Sequence, residues 1–246
     1  MHRSSAFAIG AALAALPLVA LAAAPAAPTV AAAPLHSSGT KPAYPRLTKF
    51  PDAKILAKVN AQLATAEKDN ASAYADCLSQ LKDMKMKPDK DTYSQDVAVR
   101  YLSIRALSIE VVTSYDCAGA YPTNGAETPL TYDLSTGVQI DWTTMFKPSF
   151  LAPSSDSDKA PPSALTKLYR ARYRGEKDCR DVITGQDPFS SAPIVWLDAK
   201  GGMVFQPDFP HVIAACADPL TLSPADVAPY LKDAKLAADL KATVHK

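Results

Sequence analysis

The sequence predicts an α+β domain: an antiparallel sheet meander with a long N-terminal helix and further helices packed on it, clamped by two disulfides. Three observations carry this. In residues 107–116, Leu107, Ile109, Val111, Thr113 and Tyr115 alternate with Ser108, Glu110, Val112, Ser114 and Asp116, the period of a strand. In residues 52–86, Ile55, Leu56, Val59 and Leu63 recur at helical spacing, as do Tyr74, Cys77, Leu78, Leu81 and Met84 beyond a polar interval at Glu67 to Ala71, which leaves one long helix or two open. Four cysteines, Cys77, Cys117, Cys179 and Cys216, suit two bridges in an exported chain, and of three pairings we favour Cys77 with Cys117 and Cys179 with Cys216.

Residues 1–24 read as a secretory signal peptide, with Arg3 ahead of an apolar run closed by small residues around Ala20 to Ala22; an uncleaved anchor is the rival reading. Export places the protein in the periplasm or outside the cell. Residues 25–45, rich in Ala and Pro, read as a linker, because such a composition buries too little apolar surface to order itself. Residues 46–246 are then one domain. A formal charge of +1 excludes the dominant basic field that nucleic acid binding requires.

Asp52 is positioned to cap the long helix. Val97, Val99 and Tyr101 form one face of a further strand, and the short link to Leu107 makes it pair antiparallel with the central strand. After Cys117, the small residues Ala118, Gly119 and Ala120 allow close approach of backbones, and Pro122, Asn124 and Gly125 supply a turn. Leu130, Tyr132 and Leu134 share the face of a third strand. Asp133 to Gly137 make a hairpin turn with Gly137 at positive φ, and Val138, Ile140 and Trp142 return as a fourth strand.

The words Cys117-Ala-Gly-Ala-Tyr-Pro122, Leu130-Thr-Tyr-Asp-Leu-Ser-Thr-Gly137 and Asp141-Trp-Thr-Thr-Met-Phe146, in this order, resemble an RsiV-like extracytoplasmic domain family. This is the domain of the RsiV lysozyme receptor and of the region preceding the catalytic domain of the deacetylase PdaC. Gly202-Met-Val-Phe205 and Ser223-Pro-Ala-Asp-Val-Ala-Pro-Tyr-Leu231 are similar to later segments of the family, so the likeness runs patchily over residues 90–232. Family members often carry a second Gly where Ala118 stands and a His where Tyr121 stands. The resemblance implies a non-enzymatic periplasmic binding module whose partner is a lysozyme-like protein or peptidoglycan. The alternative is a cell-wall modifying enzyme or its accessory subunit.

Residues 147–162 read as an exposed loop, and Ser163 or the prolines before it start a helix through about Arg174. Its basic, aromatic run, Lys167, Tyr169, Arg170, Arg172, Tyr173, Arg174, Lys177 and Arg180, reads as a solvated face rather than an anion site, and Cys179 is placed in the loop beyond. Ile194 to Leu197 and Met203 to Phe205 make a hairpin, and Leu220 to Leu222 a last strand. Ser223 caps a short helix with Pro224 at its first position.

The candidate binding loop is carried by Tyr121, Asn124 and Asp133, since loops on rigid sheets carry recognition. No catalytic, cofactor or metal residue is assigned. His211 reads as a packing residue, Glu110 and Asp133 are the carboxylates to inspect first, and Trp142 and Trp196 read as core rather than as sugar-stacking rings.

Overall fold

The computed structural model describes residues 29–89, 92–117, 123–151, 162–233, 236, 238 and 239. The expected signal peptide, residues 1–24, lies outside them. The expected linker does not hold over its second half: β1 (Ala31–Ala33) pairs antiparallel with β3 (Arg46–Lys49), and β2 (His36–Gly39) lies between them in the chain. What orders this stretch is backbone pairing, which an Ala- and Ser-rich composition conceals; Tyr44 just beyond is buried in the core.

The helix α1 (Ala53–Asp83) is one unbroken 31-residue element. Asp52 caps it, its carboxylate accepting from Lys54 N at 2.8 Å and Ile55 N at 3.2 Å. Of the two readings of the interval Glu67 to Ala71, one helix holds: Glu67, Lys68 and Ala71 favour helix, and the small cost of Asp69 and Asn70 is outweighed in a helix anchored on either side by buried Val59, Leu63, Cys77 and Leu81.

The long strands β4 (Tyr93–Leu102) and β5 (Ala106–Tyr115) form the central hairpin, antiparallel as expected. Then follow β6 (Thr123–Glu127), β7 (Leu130–Asp133) and β8 (Val138–Gln139). The sheet runs β2-β4-β5-β7-β8, with β6 pairing the far end of β5. Asn124 therefore sits in a strand paired to β5 rather than in a turn. The turn between β7 and β8 is as expected, with Gly137 at φ 66° and its amide donating to Asp133 O at 2.7 Å.

The returning strand stops at Gln139. Trp142 opens a short helix, α2 (Trp142–Met145), because Asp141 turns the chain by accepting from Thr143 N at 3.0 Å. Next come α3 (Pro148–Leu151), in a stretch expected to be loop, α4 (Ala164–Arg172), capped by Ser163, and α5 (Lys177–Gly185). Cys179 thus lies in a helix. Its apolar signal was confined to Ile183 and Val182, too little to set a period. The antiparallel sheet β9 (Ile194–Leu197), β10 (Met203–Gln206) and β11 (Leu220–Leu222) follows, with a 3-10 helix at His211–Cys216 and α6 (Pro224–Val227) after it. Ser223 and Asp226 form a capping box.

The two disulfides join Cys77 to Cys117 and Cys179 to Cys216, each with Cα atoms 5.1 Å apart. The central sheet separates two hydrophobic cores. On the α1 side, Val59 and Leu63 meet Val97, Leu107, Ile109, Val111, Leu130, Tyr132 and Leu134. On the other, Phe146, Phe150, Leu165, Tyr169, Leu197, Met203 and Phe205 pack together. Buried Ser108 joins the layers: its hydroxyl accepts from Leu197 N at 3.1 Å and lies 2.9 Å from Thr131 Oγ1. A bulge at Arg100 decides which core Tyr101 enters. Val99 opposes Ile109 and Tyr101 opposes Ser108, so Tyr101 turns away from Val97 and Val99 into the second core, whereas simple alternation placed all three together.

Candidate functional site

The inward stripe of α1 changes character along its length. Val59 and Leu63 fill the space above the sheet, but Ala66, Asn70 and Ala73 follow before Cys77 and Leu81 restore contact. Beneath the small residues the sheet changes too. Val97 opposes Val111, whereas Gln95 opposes Thr113 and Tyr93 opposes Tyr115. The result is a cleft of about 860 Å³ between helix and sheet, within the range of small-molecule sites. The Cys77–Cys117 bridge ties its two walls at one end.

Tyr44, Tyr93, Gln95, Thr113, Tyr115 and Tyr132 form the sheet side, and Asn70, Asp69 and Asp76 project from the helix. Tyr93 donates to Asn70 Oδ1 at 2.5 Å, and Tyr44 donates to Gln95 Oε1 at 3.0 Å. Gln95 Nε2 passes the chain on to Thr113 Oγ1 at 2.9 Å. These bonds lock the rotamers of the wall. Burial, with a smaller contribution from neighbouring Tyr93, pushes the Tyr44 hydroxyl up to about 12. Burial likewise pushes Tyr132 up to about 12 and raises Tyr93. All three therefore stay protonated, and able to donate, at any physiological pH.

Two polar groups in this wall have spare capacity. Asn70 is only 8% exposed, yet its Nδ2 makes no hydrogen bond among the described residues, and neither does the hydroxyl of Tyr132, 1% exposed. Among the described lining residues the charged ones are Asp69 and Asp76, both exposed at the rim; none is Lys or Arg. Nearby Arg46 and Glu67 pair with one another.

Of the binding residues singled out from sequence, the described ones fall outside this lining, Asn124 in β6 and Asp133 at the end of β7. Tyr121 lies outside the described residues. Asp133 serves its own turn, accepting from Ser135 N at 2.8 Å and Ser135 Oγ at 2.6 Å. Glu110, on the opposite face of β5, pairs with Arg100, whose Nε lies 2.6 Å from its carboxylate. Trp142 and Trp196 are buried, 7% and 6% exposed, and neither lines the cleft.

Two arginines of the basic run are taken up by structure: Arg170 donates to Ile183 O at 3.0 Å and Gln186 O at 3.0 Å at the end of α5, and Arg172 pairs with Asp226. The Arg172 guanidinium, then the Ser223 hydroxyl, hold Asp226 down at about 2.

Among the described residues no group of three His, Cys, Asp or Glu could hold a metal ion, and no helix is long and apolar enough to cross a membrane. The cleft was written in the sequence as the polar interval of the helix, where small and polar residues take inward positions.

No protein-family model matches the chain, and no curated protein matches it.

Proposed function

We propose that the chain is an exported, non-enzymatic binding module of the cell envelope whose ligand is peptidoglycan. Two disulfides support export, since such bridges persist in oxidising compartments. The resemblance of Cys117 to Phe146 to the RsiV-like domain family supports an envelope ligand. The observation that carries the reading is the cleft between α1 and the sheet. It favours peptidoglycan over a lysozyme-like protein, because a protein partner needs a broad patch of roughly 800 Å², whereas a concave wall of tyrosines and amides suits a strand that enters it.

The test is co-sedimentation of the purified, oxidised protein with isolated sacculi, with lysozyme titrated in parallel. Saturable binding to sacculi without soluble fragments or released acetate is expected. Fragments or acetate would establish the enzyme alternative, tight binding to lysozyme alone would move the ligand to a protein, and retention of all protein in the supernatant would overturn the reading.

A further inference from the structure

We propose that the cleft recognises the uncharged N-acetylated sugar backbone of a glycan strand, with Asn70 Nδ2 and the Tyr132 hydroxyl donating to its acceptor oxygens. The inference rests on the preceding reading and narrows it to one chemical part of the polymer. Its starting point is the unmatched hydrogen-bonding capacity of the wall. Asn70 is more than nine-tenths buried and one arm of its amide is taken by Tyr93, but the other arm has no partner among the described residues and faces the cleft. Tyr132 offers a second donor on the same surface. Neither atom is among the fully buried unpartnered side-chain atoms of the described residues, so both open on the solvent of the cleft, where a ligand that brings acceptors can take the place of water.

The charges say which acceptors. Asp69 and Asp76 stand at the rim, and none of the described lining residues is Lys or Arg. Carboxylates of peptide stems, or phosphates of an anionic wall polymer, would meet like charge with no cation to offset it. An acetamido carbonyl or a sugar hydroxyl accepts without charge. The half-buried Tyr115 ring supplies apolar wall for the C–H face of a pyranose, and the rim carboxylates accept from its hydroxyls.

The test uses the full oxidised protein and isothermal titration with three probes: the tetramer of N-acetylglucosamine, its de-N-acetylated counterpart, and a free stem peptide. The N-acetylated tetramer is expected to bind, with an affinity nearly unchanged by an about tenfold rise in salt, and to compete with sacculi. Asn70→Ala should weaken it by about tenfold. Because that variant also strands Tyr93, a second is needed: Ala66→Leu with Ala73→Leu, which fills the cleft from the helix side and should abolish binding while the melting temperature holds.

If the protein binds sacculi but the tetramer neither binds nor competes, the sugar assignment fails while the peptidoglycan reading stands. Failure to bind sacculi sinks that reading instead. Equal or tighter binding of the de-N-acetylated, cationic tetramer, or binding of the stem peptide, would overturn recognition of the acetamido group, as would full affinity in the filled-cleft variant.

Discussion

The two halves of the interface between α1 and the central sheet are built from the same elements and do opposite things. In one, Val59 and Leu63 press on Leu107 and Ile109, and the space is filled by apolar side chains. In the other, Ala66, Asn70 and Ala73 stand over Gln95, Tyr93 and Tyr115, and the space is an open cleft with hydrogen-bonded walls. Neither the helix nor the strands change course between them. The difference comes from side-chain volume and polarity at a few inward positions, which shows how a fold can keep its frame while reserving part of its core surface for a ligand.

The largest expected effect comes from cutting the clamp on the open half. Replacing Cys77 and Cys117 together by Ser should cost about 4 kcal/mol from loop-closure entropy and also lower affinity for sacculi, because the walls are no longer held together. Removing the Cys179–Cys216 bridge, whose loop is of similar length, should cost a comparable amount while leaving that affinity intact. Denaturant titration paired with co-sedimentation reads both; equal loss of binding in the two variants would break the distinction between the halves.

Next in size is truncation in the packed half. Leu63→Ala should destabilise by about 3 kcal/mol through lost burial and a new cavity. In the cleft half, Tyr93→Phe removes one bond to Asn70 and should cost about 1–2 kcal/mol, with the same titration as its check.

The smallest effect is one of pH. Tyr44 and Tyr132 have hydroxyls held up to about 12 in the folded protein against an ordinary value of 10.0. The unfolded chain therefore loses these protons first. Their stabilising contribution is complete below pH 10 and is lost as the pH rises from 10 towards 12. Replacing both by Phe should flatten the fall in melting temperature over that window, and an unchanged slope would sink the assignment.

Much of the frame was legible in the residues. Alternation in Leu107 to Tyr115, the capping signal at Ser223 and the Gly137 turn each follow from local chemistry, and the structure has all three. Strand β2 was not legible, because His36 to Gly39 join the sheet through backbone pairing to β4, and no apolar pattern marks that. Trp142 misled because alternation cannot register that Asp141 will turn the chain one residue earlier.

The cleft was half legible. The polar stretch in α1 was visible, but with a break there left open, the consequence that small residues on an intact helix leave a space stayed hidden. Tyr44 was lost in what read as a linker.

The extra residue at Arg100 has an implication for how the molecule comes apart. Because it rotates Tyr101 to the opposite side of the hairpin from Val97 and Val99, a single ribbon seals two separate compartments. Neither compartment can melt without stripping a wall from its neighbour, so heat should open both in one step rather than in sequence.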